Sequence, residues 1–278
     1  MKKVFLLLSL CSSILILDSC VESTIGCLDP FSSNYDLSAD DECDDDCCNY
    51  PSFTLSTQYL FGEETMDSSL YYTNDVDSYF KLRSFYLVLS EFGLDGDMGS
   101  YEIRSKLDNK TIPDDLLGLR FRNSSNSPGT IAIEDSIRVI NFTLGLPDEL
   151  DDPINPDLDY SVIEFLNDSM YYDLSANQFY KMIVDIEVDS VSNEEIQIGL
   201  TDLGDIFQSN VTAGTTRGNS MSIQLLIDFE RLFSGVQFQD ANVESEAKAL
   251  FGQNIVSCLL YTSPSPRDQR GSRMPSSA

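Results

Sequence analysis

"YFKLRSFYLVLSEF", Tyr79 to Phe92, is the stretch on which the fold turns. Its first residues alternate, with Phe80, Leu82 and Ser84 set against Lys81, Arg83 and Phe85, before a denser apolar run. A period of two marks a strand with one face on a core. The same reading holds for "FTLSTQYLF" (Phe53–Phe61), "FYKMIVDIEV" (Phe179–Val188), "EIQIGL" (Glu195–Leu200) and "MSIQLLIDF" (Met221–Phe229), while "TIAIEDSIRVINFTLGL" (Thr130–Leu146) supplies two further runs. Between them lie turn-forming clusters: "GLDGDMGS" (Gly93–Ser100), "RNSSNSPG" (Arg122–Gly129), "LPDELDDPINPDLD" (Leu146–Asp159) and "VTAGTTRGNS" (Val211–Ser220). Short strands without alternating long helices predict an all-β chain, an antiparallel Greek-key or immunoglobulin-like sandwich. The one helix predicted is "DANVESEAKALFGQNI", Asp240 to Ile255, with Val243, Ala247, Leu250 and Phe251 on one face. Asp95 and Asp97 in "DGDMG" read as a tight hairpin turn rather than a calcium loop, because Asp-Gly favours such turns.

Composition narrows the chemistry. Among 278 residues there are 46 acids, 17 Lys plus Arg, no histidine and no tryptophan, for a net charge of −29. Both ends are net positive (Lys2 and Lys3 against Asp18; Arg267, Arg270 and Arg273 against Asp268), so the body is more acidic still. Such a surface repels nucleic acid and anionic headgroups and leaves divalent cations and neutral ligands as partners. An apolar content of 42% is enough to build a core. Nucleophilic systems that rely on histidine are excluded, and no glycine-rich phosphate loop is present. A non-enzymatic protein is the expectation.

The first residues, "MKKVFLLLSLCSSILILDSC", join a positive start to an apolar run from Val4 to Leu17. The run falls short of the about 20 residues that a membrane span needs and suits a secretory signal over residues 1–19. Its end, "LDSC" (Leu17–Cys20), resembles the lipobox of bacterial lipoproteins, which implies lipidation of Cys20 and attachment to a membrane; cleavage near Ser19 without a lipid is the alternative. At the other end, "SCLLYTSPSPRDQRGSRMPSSA" (Ser257–Ala278) turns abruptly to Ser, Pro and Arg and resembles translated adapter sequence. Residues from about Cys258 onward are therefore read as a non-native or disordered tail outside the fold.

Residues 20–51 form a Cys- and Asp-rich entrance ahead of the sandwich, which spans 52–257. In "GCLDPFSSNYDLSADDECDDDCCNY" (Gly26–Tyr50), Cys27, Cys43, Cys47 and Cys48 remain once Cys11 and Cys20 are set aside. Outside the cytoplasm they pair, and four cysteines allow three connectivities. Adjacent Cys47 and Cys48 bond each other poorly, so Cys27 is expected to join one of the later three and Cys43 another. A site of soft-metal thiolates is the rival reading. The segment resembles a short module found at the head of bacterial surface lipoproteins. Its acids, with Asp29, Asp40 and Asp41 as the candidate ligands among Asp36, Glu42, Asp44, Asp45 and Asp46, suit Ca²⁺; a solvated acidic linker is the bland alternative.

Three segments in order resemble the MbnP-like family of bacterial envelope proteins. They are "YFKLRSFYLVLSEFGL" (Tyr79–Leu94); "IRVINFTLGLPDELDDPINPDLDY" (Ile137–Tyr160) with "MYYDLSANQFYKMIVDIEV" (Met170–Val188); and "SIQLLIDFERLFSGVQF" (Ser222–Phe238), with its Asp-x-x-x-x-Phe-x-Gly turn. The resemblance implies a β-sandwich and, in its best-known members, copper held by histidines and by a tryptophan that a diheme MauG-type partner oxidises to kynurenine. The family's tryptophans fall at positions aligned with Tyr172 and Leu174, and this chain has none. The aromatics of the signature, Tyr171, Tyr172, Phe179 and Tyr180, are therefore read as packing residues. Met66, Met98, Met170, Met182 and Met221 are read as core filler before soft ligands. Two functions follow as expectations. One is a lipid-anchored binding protein of the outer membrane, copper being implied only by the resemblance. The other is a surface module for a glycan or a neighbouring envelope protein.

Overall fold

The structure, a computed structural model, describes residues 23–44, 47–105, 116–147, 172–173, 178–189, 194–203, 206–240 and 242–262. The main strands are β1 (Ser52–Phe61), β2 (Tyr79–Gly96), β3 (Leu117–Arg120), β4 (Ser125–Thr130), β5 (Ser136–Leu144), β6 (Met182–Asp189), β7 (Glu194–Leu200), β8 (Ile206–Gly214), β9 (Met221–Asp228) and β10 (Leu259–Thr262), with helices α1 (Phe229–Leu232) and α2 (Val243–Cys258). They build the two sheets of an all-β sandwich. One runs β10-β9-β1-β4 with Arg104–Ser105 at its edge, and the other runs β7-β6-β2-β5-β8. Among the described residues, pairing within these two sheets is antiparallel except between β9 and β1, which run parallel from Met221↔Phe53 to Asp228↔Leu60.

β2 is the spine of the larger sheet, and its alternation is broken twice. Opposite β6, Asp185 pairs with Ser84 but Ile186 pairs with Leu82, so Arg83 is an inserted residue. An extra residue flips every later side chain to the other face. Phe85, Leu87 and Leu89 therefore join Phe80 and Leu82 in the core, which corrects the expectation that Phe85 faces away from them. A second irregularity, between Ser90 and Gly93, includes Glu91 at φ 53°; it turns Phe92 and Leu94 back inward, and the Glu91 carboxylate accepts the Thr143 hydroxyl at 2.7 Å. The opposite face of this stretch is covered as well. Gly118 lies so close to the Tyr86 ring that a Cβ there would sit 2.9 Å from it.

The Asp-x-x-x-x-Phe-x-Gly turn after β9 is built from caps. Buried Asp228 caps α1 by accepting Glu230 N–H at 3.1 Å, and the same oxygen accepts Gly62 N–H at 3.0 Å. Phe233 is buried and Gly235 takes φ 80°, a left-handed conformation that favours glycine. Phe80 sits at the hub of this region, its ring centroid 4.7 Å from Phe233 and 5.1 Å from Phe238. α2 buries Val243, Ala247, Phe251, Ile255 and Cys258, as its period predicts, with Leu250 half-buried.

The fold continues past the boundary expected at Cys258. β10 pairs antiparallel with β9, from Ile227↔Leu259 to Gln224↔Thr262. Cys258 and Leu259 are buried, and the Tyr261 ring packs 5.7 Å from Phe207. The apolar run Leu259–Tyr261 covers the open edge that β9 would otherwise present. The "DGDMG" turn is a hairpin: Gly96 N–H donates to Gly99 C=O at 2.8 Å, and Arg138 grips Asp97 through two 2.9 Å hydrogen bonds. Among the described residues, no helix is long and apolar enough to cross a membrane.

Candidate functional site

A cleft of about 910 Å³ lies at one end of the sandwich, between the start of α2, the loop before it, and the edge formed by β6 and β7. Val188, Ile196, Phe238 and Val243 make its apolar wall; Glu194, Gln239, Asp240, Asn242, Glu244, Ser245 and Lys248 supply polar groups; Tyr79 stands at its side with its residue 39% exposed. A volume of this order suits a small ligand.

Several contacts hold the cleft in shape. Gln239 donates to the Tyr79 carbonyl at 2.7 Å and accepts the Ser78 hydroxyl at 2.5 Å, which ties the loop before α2 to the start of β2. Buried Asn74 donates to the carbonyls of Phe233 (2.8 Å) and Val236 (2.7 Å) and accepts Ser78 N–H at 2.9 Å. Asp75 accepts Gly235 N–H at 2.8 Å and the Ser234 hydroxyl at 2.7 Å, and these bonds hold its carboxyl below the usual range. Beside the cleft, buried Glu187 accepts the Tyr71 hydroxyl and pairs with Arg83, so its charge is compensated. Lys248 bonds Glu244 at 2.9 Å, leaving the lining acidic on balance.

The described part of the aromatic signature lies next to this cleft. Tyr172–Asp173 pairs with Gln178–Phe179 in a small hairpin, Phe179 is buried, and the half-buried Tyr180 hydroxyl donates to Asp173 at 3.2 Å. Burial first, and then Asp173, raise the Tyr180 pKa, while Lys248 opposes them and Glu244 adds to them, which puts the ring beside the first turns of α2. Tyr180 packs over β7 because Gly199 leaves room: a Cβ there would meet the ring at 2.4 Å. Tyr171 lies outside the described residues, as do Cys20, the signal segment 1–19, Met170, Asp45, Asp46 and residues 263–278. Met66, Met182 and Met221 are buried in the core, and Met98 is exposed.

The entrance is held by two disulfides, Cys27–Cys48 and Cys43–Cys47. A short parallel pair, Ile25–Gly26 with Asp41–Glu42, frames it. It docks on the loop after β8, where the Arg217 guanidinium lies 5.4 Å from the Phe31 ring centroid and Gly218, at φ 71°, sits against the Ser32 carbonyl. The expected calcium ligands are not gathered into one site. Asp29 accepts Phe31 N–H (2.9 Å) and the Tyr50 hydroxyl (2.6 Å), Asp40 accepts Thr24 N–H (3.0 Å), and Asp41 is exposed in its strand. Among the described residues, what converges is sulfur: Sγ of Cys43, Cys47 and Cys48 lie within 4.8 Å of one another. Acidity suggested the carboxylates, but Asp29 and Asp40 bind N–H and O–H groups of their own segment, and Asp41 is exposed in its strand. The cleft itself was not legible in the sequence, since its walls come from four separate segments.

Comparison with known proteins adds little detail. No protein-family model and no curated protein matches the chain. Among solved structures, it is similar to MbnP from Methylosinus trichosporium at 10% identity and a TM-score of 0.44, over 65% of this chain and 76% of that one. A likeness this loose leaves the ligand to be read from this chain's own residues.

Proposed function

We propose that the chain is a non-enzymatic binding protein of the cell envelope, held at the outer membrane by a lipid on Cys20, whose cleft takes a neutral, hydroxyl-rich glycan. The observation that carries this reading is the lining: a partly exposed tyrosine ring and apolar wall on one side, carboxylates and amides on the other. Sugar rings have an apolar C–H face that packs on an aromatic ring, and their hydroxyls donate to carboxylate and amide oxygens. The acidic balance disfavours anionic ligands. A divalent cation is disfavoured too, because no three carboxylates of the lining gather within ligand distance of one another among the described residues. Copper of the kind implied by the family resemblance has no histidine or tryptophan to hold it, so the donor set does not fit. The lipid anchor is supported by the "LDSC" stretch and the positive, apolar leader before it.

The test is an array of envelope and plant oligosaccharides probed with purified protein and with Tyr79→Ala. A defined glycan should bind and lose about tenfold in affinity in the variant, as for a buried aromatic contact. Binding that is indifferent to Tyr79, or none across the array, would sink the reading.

A further inference from the structure

We propose that the entrance carries a redox-gated site for a thiophilic d¹⁰ cation such as Zn²⁺ or Cu⁺, built from Cys27, Cys43, Cys47 and Cys48. This site is independent of the glycan cleft.

The argument begins with where the sulfurs are. Sγ of Cys43, Cys47 and Cys48 lie within 4.8 Å of one another, and Cys27 is bonded to Cys48. All four sulfurs therefore meet in one place. In a tetrahedral tetrathiolate with metal–sulfur bonds of about 2.3 Å, sulfurs stand about 3.8 Å apart, so only small shifts convert one arrangement into the other.

The second observation is that the backbone around each cysteine is fixed by bonds that do not involve sulfur. Cys43 N–H donates to Gly26 C=O at 3.0 Å, and Asp36 N–H donates to Cys27 C=O at 2.9 Å. Cys47 C=O accepts the Asn34 amide at 2.7 Å, and the same side chain accepts Asn49 N–H at 2.7 Å, bracketing Cys48. Breaking the disulfides removes none of these. The Ser32 hydroxyl lies 2.9 Å from the Cys27 sulfur, within reach of a thiolate there. Exposed acids at Asp41, Glu42 and Asp44 add a local field that concentrates cations.

The chemistry balances simply. Each disulfide accepts two electrons and two protons from a dithiol reductant, which leaves as its own disulfide. The cation then displaces the four thiol protons and takes four sulfurs. In reverse, two disulfide oxidants, each accepting two electrons from a thiolate pair and taking up two protons to leave as a dithiol, close the two disulfides again and release the metal. The oxidised form is thus the closed state and the reduced form the binding state.

The experiment uses the full chain, reduced with a phosphine, freed of reductant without air and titrated with Co²⁺ as a spectroscopic stand-in for Zn²⁺. The reduced protein should take up one Co²⁺ per chain, with thiolate charge-transfer absorption and the ligand-field bands of a tetrahedral site. Zn²⁺ should displace it and protect four cysteines from maleimide, while the oxidised protein binds none. Cys43→Ser should weaken binding by about tenfold or more, whereas Cys258→Ser, which alters a buried thiol far from the entrance, should leave it unchanged. Reduced protein that takes up no stoichiometric Co²⁺, binds it without charge-transfer absorption, or leaves the entrance cysteines open to alkylation under Zn²⁺ would overturn the proposal.

Discussion

Replacing Asn74 with Ala should destabilise the sandwich by about 3 kcal/mol, because one small side chain there holds two loops together. Its amide donates to the carbonyls of Phe233 and Val236 and its oxygen accepts Ser78 N–H, all in buried surroundings. A net hydrogen bond is worth about 1 kcal/mol, and a buried group left without a partner costs about 1–3 kcal/mol. Alanine removes all three bonds and leaves the Val236 carbonyl and Ser78 N–H without that partner, while the Phe233 carbonyl keeps Val236 N–H at 3.3 Å, so about 1 kcal/mol per lost bond is a fair figure. For a domain of this size that corresponds to a fall in Tm of about 6–12 °C. Asn74→Asp is the control. It keeps the acceptor for Ser78 but aims a carboxylate at two carbonyls, so it should be no more stable than the alanine variant. Urea unfolding followed by circular dichroism measures both. A loss below about 1 kcal/mol for Asn74→Ala, or an aspartate variant near wild type, would refute the idea that this residue anchors the loop lining the cleft.

Other outcomes follow from single contacts. Gly145→Ala should cost about 1–3 kcal/mol in the same assay, since Gly145 has φ 118° and a Cβ would lie 2.6 Å from the Leu203 carbonyl; an unchanged midpoint would contradict this. Acid should expose the Asp75 contacts: its pKa in the folded chain is below the ordinary 3.8, so the stabilisation is complete above about pH 4 and is lost as pH falls through the lower folded value. Asp75→Asn should therefore show a shallower acid limb in a plot of Tm against pH than wild type, and parallel limbs would argue against it. Cys20→Ala should move the protein from the membrane fraction to the soluble fraction in a lipoprotein-processing bacterium, and an unmodified N-terminus on the wild-type product would remove the lipid anchor.

How much of this was legible beforehand differs residue by residue. The alternation of Phe53, Leu55 and Thr57 states a half-buried strand outright, and β1 buries those side chains together with Tyr59. Phe85 could not be placed, because the insertion at Arg83 exists only relative to β6 and no single-strand pattern contains its partner. The parallel pairing of β9 with β1 is likewise a property of two segments far apart in the chain. Cys27 and Cys43 were read as joining later cysteines, but the choice of Cys48 and Cys47 is a property of the folded entrance, where Cys27 bridges to Tyr35 and Asn34 holds Cys47 C=O and Asn49 N–H. Leu259–Tyr261 resembled a tail by composition, yet an apolar run beside an open strand edge is enough to form β10. Of the candidate site, the sequence marked nothing: Tyr171, Tyr172, Phe179 and Tyr180 were read as packing residues, although Tyr180 comes to lie beside the cleft. The cleft beside them needs Tyr79, Gln239 and Glu194, which only the fold brings together.

The central claim is that the cleft between β7 and the start of α2 is where the ligand sits. Hydrogen exchange followed by mass spectrometry, with and without the tightest-binding oligosaccharide, tests it most directly. Slowed exchange confined to the segments around Tyr79, Glu194–Ile196 and Gln239–Ser245 is the predicted result. Slowing instead around Thr57, Met66–Ser69 and Arg122, which line a second pocket of about 610 Å³, or over the cysteine-bounded entrance, would contradict it.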